Sequence, residues 1–112
     1  MNIEEIREYA LSKPDVEEGF PFGETALVFK TGGKMFLLLS LDESPPSFNV
    51  KCDPDKALEL REAYACINPG YHMNKKHWNT ITVDGTLDKK MLLEQIDHSY
   101  NLVAGISKKK KA

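Results

Sequence analysis

The chain has 112 residues and a mass of 12.7 kDa, enough for one hydrophobic core and too little for two. Its 41% hydrophobic and 29% charged residues exclude a disordered or fibrous chain, and its longest apolar run, Met35 to Leu39, is far too short to cross a bilayer. The net charge of -2 lacks the positive excess usual in DNA-binding proteins, yet it is unevenly spread: residues 1 to 24 carry -5 and the remainder +3.

The acidic opening Met1-Asn2-Ile3-Glu4-Glu5 is unlike a secretory segment, so a cytoplasmic protein is expected. Asn2 can cap a first helix with Glu5 in the capping-box position, and Ile3, Ile6 and Ala10 recur at helical spacing until about Ser12. Phe20-Pro21-Phe22-Gly23 reads as a rigid apolar linker. Thr25 to Lys30, the turn Thr31-Gly32-Gly33 and Lys34 to Leu41 predict a β-hairpin, because glycines supply the positive φ such turns need. Asp42 to Pro46 is a second turn, and Ser47 to Cys52 alternates as a third strand. Asp53 caps and Pro54 opens a helix to about Tyr64. Asn68-Pro69-Gly70 breaks it, His77 to Val83 forms a further strand, and a last helix starts near Asp88 with Leu92, Ile96, Tyr100 and Val103 along one side. A single domain over 1–107 is expected, with 108–112 a disordered lysine tail. Cys52 and Cys66 have neither zinc-site spacing nor scaffold density, and both are taken as reduced thiols.

Strands with helices before, between and after them predict an α+β domain: an antiparallel sheet with helices on one face. Strand alternation assigns Leu27, Phe29, Met35, Leu37, Leu39, Phe48, Val50, Ile81 and Val83 to the core. The other face then receives Lys30, Lys34, Phe36, Leu38, Asn49, Lys51, Trp78, Thr80 and Thr82. Such a face can hold phosphates on lysine ammonium groups and stack a base on an aromatic ring. It can equally serve a protein partner with Trp78 as anchor. A third reading packs Phe36, Leu38 and Trp78 together beneath a loop.

The richest stretch is Asn68 to Val83, which holds the single Trp, two lysines and two of the three histidines. Its chemistry is cationic and aromatic, suited to binding more than to bond making. His72 and His77 lack a helical metal-pair spacing, neither cysteine has an activating neighbour, and Thr31-Gly32-Gly33-Lys34 is a hairpin turn and not a phosphate cradle. No enzyme, metal or cofactor is therefore expected. The acids Glu4, Glu5, Glu8, Asp15, Glu17 and Glu18 could hold a hard cation weakly; a solvated acidic face is the commoner arrangement.

Lys13-Pro14, Phe20-Pro21-Phe22, Phe29-Lys30 with Lys34-Met35-Phe36, Asn49-Val50-Lys51, Pro69-Gly70-Tyr71-His72, Lys75-Lys76-His77-Trp78 and Ser99-Tyr100-Asn101-Leu102-Val103 form an ordered series that resembles the MmcQ/YjbR family over nearly the whole chain. The resemblance implies a fold similar to CyaY and frataxin, and DNA binding through a double-wing arrangement of β-hairpins. The wings would be Lys30 and Lys34 around Gly32-Gly33, and Asn74 to Trp78. The expectation is a monomeric or weakly dimeric DNA-binding protein without catalysis. Lys30, Lys34, Lys51, Lys75 and Lys76 would supply charge, Trp78 and Asn74 stacking and hydrogen bonds, with His77 on the same surface. The alternative is a protein-interaction module centred on Trp78.

Overall fold

The computed structural model describes residues 1–70 and 73–105; Tyr71, His72 and the lysine tail lie outside the described residues. Its elements follow the order α1 (Ile3–Leu11), β1 (Val16–Gly19), β2 (Ala26–Thr31), β3 (Lys34–Ser40), β4 (Ser47–Lys51), α2 (Pro54–Ala63), β5 (Ile67–Pro69), β6 (Trp78–Thr82) and α3 (Lys89–Ala104).

Each helix starts where a side chain satisfies its free amides. The Asn2 carboxamide accepts from the Glu5 amide at 2.8 Å and the Glu5 carboxylate accepts from the Asn2 amide at 2.9 Å, a complete capping box. Asp53 and Asp88 accept from the amides of Lys56 and Met91 in the same way. Gly105 closes α3 with φ +75°, the left-handed conformation in which its amide donates to the Asn101 and Leu102 carbonyls. Gly32 and Gly33, at φ +59° and +80°, make the tight turn between β2 and β3.

All strand pairs are antiparallel and the sheet order is β1-β2-β3-β4-β6-β5. Two strands were not foreseen. β1 pairs Val16 to Gly19 with β2 at one edge, and β5 sets Ile67, Asn68 and Pro69 beside β6 at the other. Pro69 was expected only to break a helix; an edge strand tolerates it because an edge carries amides that need no ladder partner.

One face of the sheet is covered by helices. Leu27, Leu39, Phe48, Ile81 and Ile67 stand in register across five strands, with Phe29, Leu37 and Val50 in the next row, and Ile6, Ala10, Ala57, Leu60, Leu92, Ile96 and Tyr100 pack over them. The expected core holds with one correction. A bulge between Phe29 and Lys30 shifts the β2–β3 register so that Lys30 pairs with Met35. Phe36 turns into the core, fully buried with its ring 5.2 Å from Tyr100 in a T-shaped contact, and Met35 faces the open side. Val83 is only partly buried against the core.

Ser99 closes the sheet where the ladder opens. Its hydroxyl donates to the Phe36 carbonyl at 2.5 Å and accepts from the Lys51 amide at 2.8 Å, beyond the Leu37–Val50 pair. A local hydrogen bond was expected of this serine; the observed ones span 63 and 48 residues. Beside it, Tyr9 and Lys13 both contact Asp97 at 2.6 Å, and the Lys13 ammonium sits over the rings of Tyr9 and Tyr100 at 4.9 and 5.2 Å. This cation–π cluster ties the end of α1 to α3.

Candidate nucleic-acid interface

The register brings the expected basic residues to one end of the sheet. Lys30 pairs with Met35, Lys34 with Thr31, and Lys51 with Trp78, so the β2–β3 hairpin, the end of β4 and the start of β6 lie side by side. At about 4.8 Å per strand, β2 and β3 lie roughly 10 to 14 Å from β6 in the order β2-β3-β4-β6. Lys34, Lys75 and Lys76 are exposed, and Lys30 and Lys51 half-buried. The ion pairs among the described residues, Arg7–Glu18 and Lys13–Asp97, engage none of these five lysines.

The second basic turn is built around two residues. Asn74 accepts at its side-chain oxygen from the Lys76 amide at 2.9 Å, and at its carbonyl from the amides of His77 and Trp78. The Asn74 carboxamide oxygen thus shapes the turn. Arg61, on α2, then fastens the turn to the sheet: its guanidinium donates to the Asn79 side chain at 2.7 Å, to the Trp78 carbonyl at 3.1 Å and to the Lys75 carbonyl. The His77 carbonyl accepts from the Cys52 amide at 2.7 Å, joining the turn to the end of β4. His77 and Trp78 are both half-buried. Trp78 is pressed against Gly70, whose amide donates to the Trp78 carbonyl at 2.8 Å; a Cβ on Gly70 would lie 2.9 Å from the Trp78 Cβ.

Away from the helices the sheet forms a concave wall around a cavity of about 580 Å³. Two rows of the ladder supply its floor: Ala26, Ser40, Ser47 and Thr82, then Leu38, Asn49, Thr80 and Asn68. The Thr80 hydroxyl donates to the Asn49 side chain at 2.5 Å. Phe22 and Met73 overhang the floor, Met35 closes the lysine end, and Asp42 and Glu43 stand at the opposite end. Phe22 is 68% exposed despite lining this space.

Of the expected face, Leu38, Asn49, Thr80 and Thr82 line the cavity. Lys30, Lys51, Trp78 and the 74–77 turn gather at its hairpin end; Phe36 leaves for the core, and Lys34, two residues before it, stands at the same end on the helix side of the sheet. The sequence reading missed Arg61 and Asn79, because a side chain that holds backbone carbonyls 14 and 17 residues away has no spacing signature. The acidic segment divides its duties: Glu5 completes the capping box, and Glu18 meets Arg7 through contacts of 2.8 and 2.6 Å that hold its carboxyl below the usual range. Among the described residues no group of three His, Cys, Asp or Glu could hold a metal ion, and no helix is long and apolar enough to cross a membrane.

The YjbR family model matches residues 11–102. Protein YbdF of Escherichia coli is 42% identical over 107 residues, covering 95% of this chain and 88% of the relative. Protein YjbR of Escherichia coli is 30% identical over 100 residues, 89% and 85% of the two chains. The crystal structure of a Deinococcus radiodurans protein with a DUF419 domain superposes with a TM-score of 0.88 at 38% identity, over 96% of this chain and 83% of that one. A crystal structure from Pseudomonas syringae does so with a TM-score of 0.78 at 27% identity, over 92% and 99%. With a match that begins inside α1 and ends in α3, and so takes in the whole sheet and both basic turns, this chain belongs to the YjbR family.

Proposed function

We propose that this protein binds nucleic acid without catalysis, through phosphate contacts made by the lysine end of the sheet. The observation that carries this reading is the arrangement of Lys30, Lys34, Lys51, Lys75 and Lys76 on two turns and the strand ends between them, none in an ion pair among the described residues. The strands that carry the two turns lie roughly 10 to 14 Å apart, comparable to the width of a B-DNA major groove, about 12 Å, a spacing that suits contact with phosphates on both sides. Of the acids of residues 1–24, Glu4, Glu5 and Glu8 lie on α1 and Glu18 pairs with Arg7, while Glu17 stands opposite Lys30 in the β1–β2 register and offsets part of its charge.

A binding role also fits the cysteines. Burial pushes the Cys52 thiol up to about 11, away from the thiolate a nucleophile requires. A monomer or weak dimer in the cytoplasm completes the proposal. Replacing Lys75 and Lys76 together by Ala should weaken binding to all sequences alike and reduce the slope of log K against log salt by about 1.8. Unchanged affinity in that variant would remove the assignment.

The second reading is a protein-docking face beside Trp78. It draws on the half-burial of Trp78 at the start of β6, which leaves part of the indole accessible. A Trp78→Ala change that abolishes capture of a partner, in a protein with negligible nucleic-acid affinity, would favour it.

A further inference from the structure

We infer that the cavity on the open face is a pocket for one nucleotide, taking the base between its carboxylate end and its floor and leaving the phosphate at the lysine end. The phosphate half of this inference rests on the nucleic-acid reading above; the base half rests on the cavity alone.

The volume of about 580 Å³ lies within the range of small-molecule sites and is far too small for a folded partner. Its charge is graded along the strands. Asp42 and Glu43 stand at one end, hydroxyl and amide side chains fill the middle, and the row of Lys51 and Trp78 follows. From the Ser47 row to the Lys51 row is four residues, roughly 13 Å of extended strand, comparable to the span from a phosphate to the far edge of its base. Phosphate cannot sit at the carboxylate end, so a nucleotide has one orientation here.

The middle offers hydrogen bonds of the kind that read base edges. Asn49 spends its carboxamide oxygen on the Thr80 hydroxyl, and among the described residues no buried side-chain nitrogen or oxygen lacks a partner. The Asn49 Nδ2 therefore reaches the cavity space with its hydrogens free for a ligand. Glu43 already accepts from the Ser47 hydroxyl at 2.9 Å and retains a second carboxylate oxygen. Asp42 and Glu43 together can accept from the exocyclic amine of adenine, cytosine or guanine, and uracil has no such amine. Phe22, fixed between Pro21 and Gly23, whose φ is +118°, supplies an exposed ring at the rim for stacking.

The test is a titration of isotope-labelled protein with AMP, CMP, GMP, UMP and inorganic phosphate, followed by amide chemical shifts, with duplex affinity measured in parallel. Saturable shifts at Ser47, Asn49, Thr80 and Thr82 with the first three nucleotides, and about tenfold weaker binding of UMP, support the pocket. Thr82→Phe, which fills the floor, should abolish nucleotide binding and leave duplex affinity within about twofold. The exposed pair Asp42→Asn with Glu43→Gln leaves the core untouched and should erase the preference over UMP. Shifts that inorganic phosphate reproduces, or none with any nucleotide while duplex still binds, overturn the pocket and leave the lysine assignment standing. Loss of both kinds of binding overturns both.

Discussion

Replacing Arg61 by Ala should cost about 2 to 3 kcal/mol of folding stability and loosen the turn that carries Lys75 and Lys76. Three charge-assisted hydrogen bonds at their usual net value of about 1.5 to 3 kcal/mol each would predict a larger loss. Two considerations lower it. The Trp78 carbonyl keeps its bond from the Gly70 amide, and the exposed Lys75 can turn its carbonyl to water, so neither is orphaned. Arg61 also regains up to about 2 kcal/mol of side-chain entropy when unfolded. What remains is Asn79, only 1% exposed, whose side-chain oxygen loses its donor; a buried unsatisfied acceptor costs about 1 to 3 kcal/mol. Urea denaturation of Arg61→Ala, Asn79→Ala and the double variant measures this directly, with a coupling above about 1 kcal/mol expected between the two sites. Arg61→Lys should not rescue, since one ammonium cannot replace the guanidinium fork. A loss below about 0.5 kcal/mol, within the usual effect of surface substitutions, together with no coupling would refute the clamp.

Ser99→Ala leaves the Phe36 carbonyl and the Lys51 amide without partners inside the fold, and urea denaturation should register a loss of about 2 to 4 kcal/mol. Gly70→Ala places a methyl against Trp78 Cβ and the Trp78 carbonyl at 2.9 and 3.2 Å, neither a flexible chain end; a loss of about 1 to 3 kcal/mol with a changed Trp fluorescence is expected, and a spectrum identical to the parent's contradicts that contact. The Tyr9 hydroxyl is pushed up to about 12, first by burial and then by its hydrogen bond to Asp97. The folded state therefore holds this proton more tightly than the unfolded one. The stability this contributes is complete below the ordinary tyrosine value near 10 and disappears as pH rises toward 12. Tyr9→Phe should flatten the stability curve in that window, measured by denaturation across alkaline pH.

Features with a local cause were legible in the sequence. Asn2 with Glu5, Asp53 with Pro54, and Asp88 each announce a helix start because capping is a matter of residues three apart. Gly32-Gly33 announces its hairpin for the same reason. What escaped depends on pairing. The Phe29/Lys30 bulge reverses Met35 and Phe36 without a mark in the alternation of β3, and Val16-Glu17-Glu18-Gly19 becomes a strand only because β2 lies beside it. The same division holds at the candidate site. Its lysines and Trp78 were visible by type, whereas Arg61 and Ser99 act on backbone groups, and Asn79 on the Arg61 guanidinium, that only the fold brings near.

The central claim, that five lysines at one end of the sheet hold phosphates, is most directly tested by fluorescence anisotropy of labelled duplex and single-stranded DNA titrated with the intact chain at several salt concentrations. Contact with five phosphates predicts a slope of log K against log salt of about -4.5 for duplex and about -3.5 for a single strand. Micromolar or tighter binding at low salt with slopes near these values supports the account. Binding that is absent at low salt, or that does not change with salt, contradicts it and leaves the face beside Trp78 to a protein partner.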